Sequence, residues 1–285
     1  MWFILYGVNI LPVITPKISI ITVCFNSAKT IHQTIESVLN QSYTNIEYIV
    51  VDGKSTDNTM AIIQSYEQKF KDKGIIFRYI SEPDNGIYDA MNKGIKMSAG
   101  EWIGIINSDD WYELDACELV INAYQNNSKI MIFAGAIRSI LNLNNESYYQ
   151  TIIPSLEHIN FRMTLCHPAV FVKADLYRQR NFDSSYKVIA DWELMKYFAN
   201  SQVEFCLVDR VLANFTEGGI SNVRNLGYYL ELLKVLKATY PVYAYYFVGK
   251  MILRKEIVAC LKPAWFTAYR RRQMLQNHYR NKLND

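Results

Sequence analysis

The chain has 285 residues, half of them hydrophobic and a fifth charged, with a formal net charge of +3. It is long enough to bury a substantial core and too apolar to be a disordered segment. Between Lys250 and Asp285 lie nine Lys or Arg against two Asp or Glu, so the basic excess sits at one end and the preceding residues are mildly acidic.

Residues 1–16, MWFILYGVNILPVITP, are apolar but carry no basic residue ahead of the apolar part, and Pro12 and Pro16 interrupt them. That argues against a secretory signal and a membrane span, and predicts an extra strand or a packing tail. From Ile18 onward strand and helix patterns alternate. ISIITVC (Ile18–Cys24) is a β-branched run of the kind buried on both faces of a parallel sheet. Ile31, Ile35, Val38 and Leu39 then mark one face of a helix, and Ile46–Val51 the second strand. Ile62, Ile63, Tyr66 and Phe70 predict the next helix, Ile75–Ile80 a third strand, Ile87–Met97 a helix and Trp102–Ile106 a fourth strand. This βαβαβαβ order requires an α/β fold, a mostly parallel sheet flanked by helices.

Such sheets bind ligands beyond the carboxyl ends of their strands. The residues there are Cys24-Phe25-Asn26, Asp52, Glu82-Pro83-Asp84 and Asn107-Ser108-Asp109-Asp110; three of the four exits carry acid. No GxGxxG occurs, and Gly53–Thr56 (GKST) lacks the earlier glycine of a phosphate-binding loop because Tyr48 occupies that place. Adjacent Asp109 and Asp110 need either a cation or exposure to water, and Asp110 also suits a helix N-cap. In STDNT, Ser55 or Asp57 reads as a helix cap, while Asp89 and Lys93 stand at ion-pair spacing.

Between Ile130 and Asn214 the alternation is less regular, with strands expected in IMIFAGAI and YYQTIIP and a helix in ADWELMKYFA. From Leu226 to Asp285 the chain is helix-forming, aromatic and increasingly basic. The predicted organisation is a tail over 1–16, an α/β domain over 17–222 and a helical basic extension over 223–285. Five scattered cysteines without a CxxC pair point to a reduced, cytosolic protein.

Five segments, in this order, resemble a family 2 glycosyltransferase of the GT-A fold. They are ISIITVCFNSAKTIHQTIESVLNQSYTNIEYIVVDGKSTDNT, ISEPDNGIYDAMNKGIKMSAGEWIGIINSDDWY, CHPAVFVKADLY, ADWEL and FTEGGIS. The nearest subgroup is similar to bacterial colanic-acid and O-antigen transferases, and the resemblance spans roughly residues 17–222. Two positions depart from the family pattern: acid-acid-glycine is here Asp52-Gly53-Lys54, and the first acid of the metal motif is Asn107.

The resemblance implies transfer of a sugar from a nucleotide-sugar donor, a UDP-sugar foremost, with inversion and with Mg2+ or Mn2+ at the diphosphate. It assigns Asp109 as metal ligand with Asp110 assisting, and Asn107 to ribose or a metal-bound water. Asn26, Asp52, Asp89, Asn92 and Lys93 fall on the nucleotide side. Asp191 becomes the base that takes the acceptor proton, with Glu193 as second choice; Asp191 also suits the N-terminus of a helix. His167 lines the acceptor or diphosphate pocket, or is a hydrogen-bonded core histidine. The Gly-rich EGGIS segment is a closing loop or a plain turn.

The implied acceptor is a surface polysaccharide or polyprenyl-linked glycan. Residues 250–285, which mix Lys and Arg with Trp265, Phe266 and Tyr269, suit peripheral contact with anionic lipid or a solvated helix, and no nucleic acid. That places the protein in the cytoplasm, on the inner face of the cytoplasmic membrane. The rivals are a metal-dependent nucleotidyltransferase, disfavoured because CFNSAKT is not a basic Gly-rich loop, a glycosidase, and a catalytically impaired nucleotide-sugar-binding or scaffold subunit.

Overall fold

The computed structural model describes residues 15–143, 146–217 and 226–260. Four strands, β1 (Ile18–Cys24), β2 (Ile46–Asp52), β3 (Ile76–Ser81) and β4 (Trp102–Asn107), run parallel in the order β3-β2-β1-β4. Between them come α1 (Ile31–Leu39), α2 (Thr59–Ser65), α3 (Glu67–Asp72) and α4 (Ile87–Met97). The single helix expected through Tyr66 is two, because Tyr66 N–H bonds to Ile63 O, one residue short of the α-helical partner, and the chain turns there.

The second half closes the sheet with mixed pairing. After β5 (Trp111–Tyr112) and α5 (Ala116–Asn126), β6 (Ile132–Leu143) carries the hairpin partner β7 (Glu146–Ile152). A short 3-10 turn (His167–Ala169) leads into β8 (Val170–Lys173), which joins β4 to β6 by antiparallel pairing. Helices α6 (Ala174–Gln179) and α7 (Ala190–Ala199) precede β9 (Phe205–Thr216), which runs parallel to β6 and takes β5 on its other edge. Only Ser108–Asp110 separate β4 from β5, so the pairing of β5 with β9 curls the sheet back over the end of β4.

Alternate residues of the central strands feed two cores. Ile21, Val23, Ile49, Val51, Ile103 and Ile105 pack under α4, α6 and α7, with α8 (Leu226–Lys237) and α9 (Pro241–Cys260) on the same side. Ile18, Ile20, Tyr48, Val50, Trp102 and Ile106 pack under α1, α2, α3 and α5. Both faces of each strand are therefore apolar, as a covered parallel sheet requires. Each fully buried Ile side chain contributes about 1.5–3 kcal/mol of transfer energy. Among the described residues, no helix is long and apolar enough to cross a membrane.

Candidate active site

Strand register sets the site. Cys24 pairs with Asp52, Asp52 with Ser81 and Val23 with Asn107, so four strands finish at one rim. The loops beyond are stitched together. Asn26 N–H donates to Ser55 Oγ (2.7 Å), and Asn26 Oδ1 accepts from Thr56 N–H (2.9 Å). Asn26 sits at φ 51°, in the left-handed region that Asn tolerates better than most residues. Ser27 Oγ and Ser108 Oγ lie 2.7 Å apart, tying the first exit to the acidic loop.

Asp52, assigned by resemblance to the nucleobase, is wholly buried. It accepts hydrogen bonds from Ser55 N–H (2.9 Å), Ser55 Oγ, Ser81 Oγ (2.6 Å) and Cys24 Sγ (3.6 Å). Those donors satisfy a carboxylate that burial would otherwise make costly, and they make Asp52 the anchor of its own loop. The groups that reach outward beside it are Phe25, 62% exposed, and the half-buried Asp84. A Cβ on Gly53 would come 2.5 Å from Asp84 Oδ2, so the glycine at this departure from the family pattern makes room for Asp84. Asp57 is structural, accepting from Thr59 N–H (3.0 Å) and Ala28 N–H (3.2 Å).

Asp89, Asn92 and Lys93 share one side of α4. Asp89 Oδ2 accepts from Asn85 N–H (2.9 Å), and Lys93 pairs with Glu82 (2.9 Å) and more loosely with Asp89 (3.7 Å). Both ends of the Asn92 amide bind the Phe182 backbone, donating to its carbonyl (2.8 Å) and accepting from its N–H (3.1 Å). These contacts hold the 82–86 turn and residue 182 against α4, and the three side chains line a groove of about 500 Å³ between α4 and α6.

In the acidic loop, Asp110 is fully buried, its Oδ1 accepting from Thr216 N–H (3.2 Å) and its Oδ2 from Asn107 Nδ2 (3.3 Å). Its backbone carbonyl accepts from Thr34 Oγ1 (2.7 Å) on α1. Burial and the neighbouring Asp109 charge push its carboxyl well above the ordinary range. Asp109 is half-buried; burial raises its carboxyl too, and His167 opposes that rise. Asn107 Oδ1 is buried and has no hydrogen-bond partner.

Asp191 stands in the first turn of α7. Its Oδ2 is 3.5 Å from His167 Nδ1; its Oδ1 accepts from Trp192 N–H (2.9 Å) and lies 3.0 Å from the Tyr88 hydroxyl. Tyr88 also lies 2.7 Å from Val188 O. Burial and the Asp191 charge push the Tyr88 phenol well above its ordinary value, so it stays a donor. His167 Nε2 is buried without a partner. Glu193 is bound to Arg180, with its Oε2 buried and unpaired. EGGIS lies outside the described residues from Gly218 onward.

The structure therefore pairs Asn107 with Asp110 and His167 with Asp191, and holds Asp52 inside its loop. Among the described residues, no three His, Cys, Asp or Glu side chains are arranged to hold a metal ion. Asp109 and the unpartnered Asn107 Oδ1 are hard oxygen donors that fit Mg2+ or Mn2+ shared with substrate phosphate, the usual way Mg2+ is held. Sequence reasoning missed Tyr88, and it listed Phe25 and Asp84 at the strand exits without giving either a part in the site. The available signals were a tyrosine on the inward face of an amphipathic helix, whose hydroxyl needs a partner, and an aromatic at a strand exit.

The description "Glycosyl transferase family 2" matches residues 19–183, more than half the chain. A PGL/p-HBAD biosynthesis glycosyltransferase of Mycobacterium bovis is 28% identical over 212 residues, covering 73% of this chain and 80% of that protein. Chondroitin synthase of Escherichia coli is 28% identical over 181 residues, covering 63% of this chain and 26% of that one. Among solved structures, S. aureus TarS 1-349 in complex with UDP superposes with a TM-score of 0.61 at 19% identity, over 78% of this chain and 64% of that one. Mannosyltransferase PcManGT from Pyrobaculum calidifontis, in complex with GDP-Man and Mn2+, gives 0.59 at 15% identity, over 94% and 83%. This chain spans 39% of the chain in another crystal structure of S. aureus TarS. The fold is GT-A, and the chain belongs to glycosyl transferase family 2.

Proposed function

We propose that this chain is an inverting transferase that moves a sugar from a UDP-sugar to a hydroxyl of a surface-polysaccharide or lipid-linked glycan. The observation that carries the reading is the acidic loop Asn107–Asp110 at the exit of β4 together with Asp191 of α7, whose Oδ2 stands 3.5 Å from His167 Nδ1. TarS solved with UDP and with UDP-GlcNAc supports the donor class. Phe25 and Asp84 are placed to meet base and ribose at the exits of β1 and β3.

The acceptor hydroxyl gives its proton to Asp191 Oδ2 as its oxygen bonds to the anomeric carbon, while the bond from that carbon to the diphosphate oxygen breaks on the opposite face. Tyr88 and Trp192 N–H hold Oδ1 and so aim Oδ2 at the acceptor. Asp109 and Asn107 face the diphosphate, with Asp110 orienting Asn107. A divalent cation bound there would neutralise charge gathering on the departing diphosphate. The acceptor is proposed to lie at the inner face of the cytoplasmic membrane, with the basic residues 250–285 toward lipid; those from 261 onward lie outside the described residues.

The test is hydrolysis of a panel of UDP-, GDP- and dTDP-sugars with Mn2+. The account expects turnover of at least one donor, lost by roughly a hundredfold or more in Asp109→Ala. If no nucleotide-sugar binds the wild-type protein, the scaffold reading replaces this one.

A further inference from the structure

Helices α8 and α9 bury one face and leave the other bare. On α8, Tyr229, Leu232, Val235 and Leu236 enter the core beside α7, while Leu226 and Leu230, one turn apart, are exposed. On α9, Ala244 and Val248 are buried, while Val242, Tyr245, Tyr246 and Leu253 recur at the spacing of a single outward stripe. Each of these six outward side chains is more than half exposed, Val242 reaching 84%. Scattered apolar residues are ordinary on a surface, but six on one helical hairpin form a patch that needs covering.

The charges around the patch say what covers it. Lys237 of α8 lies 5.4 Å from the Tyr245 ring centroid, joining the two exposed faces, and Lys250 lies 5.8 Å from that of Tyr246. The one acid of α8, Glu231, is turned inward onto the Lys187 (2.6 Å) and Val188 (3.1 Å) amides. No acid occurs on α9 as far as Leu253. The sequence beyond, residues 261–285, adds six Lys or Arg against one Asp. A twofold contact with a second copy would set these lysines near their own copies, a like-charge cost. An anionic bilayer meets the same surface with opposite charge, takes up the apolar stripe and accommodates tyrosines at the headgroup level.

We infer that the outward face of the α8–α9 hairpin, centred on Val242, Tyr245, Tyr246 and Leu253 and flanked by Lys237 and Lys250, is a docking surface for an anionic membrane. This gives a described surface to the membrane reading above, which assigned contact to 250–285 alone. The hairpin packs directly on α7, and Lys196 of α7 donates to Val235 O (2.9 Å) of α8. Docking through it therefore holds the Asp191 side of the cleft at a fixed position relative to lipid.

The test is flotation of the full chain with vesicles of phosphatidylcholine alone and of phosphatidylcholine mixed with phosphatidylglycerol. The wild-type protein is expected to float with the mixed vesicles, less so at high salt, and not with the neutral ones. Val242→Asp/Tyr246→Asp/Leu253→Asp should lose partition by roughly tenfold or more while keeping donor hydrolysis in solution. Lys237→Glu/Lys250→Glu, which touches only exposed side chains, should lose it too and keeps the test valid if the first variant misfolds. Wild-type binding that both variants retain would move the contact to the rest of the chain and overturn the inference. So would a wild-type protein that ignores anionic vesicles, or a dimer that Val242→Asp dissociates. Donor hydrolysis, read separately, tests the transferase and not the surface.

Discussion

Tyr88 has one proton and two acceptors, Val188 O at 2.7 Å and Asp191 Oδ1 at 3.0 Å. It ties the start of α4, just past the 82–86 turn, to the carboxylate proposed as base. Tyr88→Phe keeps the ring and removes the donor, so kcat should fall about tenfold with the donor Kd unchanged. Steady-state kinetics with calorimetry checks this; a change confined to donor Kd would contradict it. Asp110 allows a stability test. Its folded-state carboxyl lies well above the ordinary 3.8, so its contribution is fully present below that value and is lost as pH rises through the folded one. In chelator and without donor, Asp110→Asn should therefore raise Tm at pH 8 by roughly 2–4 °C, for about 1 kcal/mol. The gain should shrink toward pH 5, as thermal melts would show; an equal gain at both pH values would contradict the assignment.

At the scale of elements, the parallel half of the sheet was legible because each strand is a short β-branched run and each helix shows one apolar face. The predicted helix Ile87–Met97 matches α4, and the predicted strand Ile75–Ile80 lies one residue from β3. The second half was not legible to the same degree. β6 and β9 are 12 residues each and pair across a long stretch of chain, with a register shift around Ala134–Ile137. Gly135 sits there because a Cβ would come 2.3 Å from Leu212 Cγ, a requirement no local pattern announces. Glu47 was invisible for a similar reason: inside IEYIVV it reads as an interruption, yet from β2 it reaches β1, β3 and the turn before β4. It is 1% exposed and accepts from Ser19 Oγ (2.5 Å), Ala99 N–H (2.5 Å) and Arg78 Nη2 (2.7 Å). Burial pushes its carboxyl up, but these hydrogen bonds and the Arg78 charge hold it below the ordinary value. Its stabilisation is thus present above the unfolded carboxylate range and lost as pH falls through the folded one. Glu47→Ala should cost about 3 kcal/mol at pH 7, and less at pH 4, by denaturant titration. A cost that does not fall with pH would show that packing, and not charge, is what Glu47 supplies.

For the whole molecule, the proposed site depends on two distant stretches closing over the end of β4. The curl of the sheet brings Thr216, at the end of β9, onto Asp109 and Asp110, and the turn before β8 delivers His167 to Asp191. The motifs named Asp191 and His167 without showing that they pair, because that contact depends on β8 inserting beside β4. They also placed Asp52 at the ligand, whereas its four donors, drawn from three separate segments, hold it inside the loop. The proposed division of labour, donor held on the Asp109 side and proton taken up by Asp191, is most directly tested with Asp191→Asn. Donor affinity by calorimetry and transfer to acceptor should be measured on the same preparation. The account predicts unchanged donor Kd with transfer reduced by roughly a thousandfold or more; transfer within about threefold of wild type would contradict it.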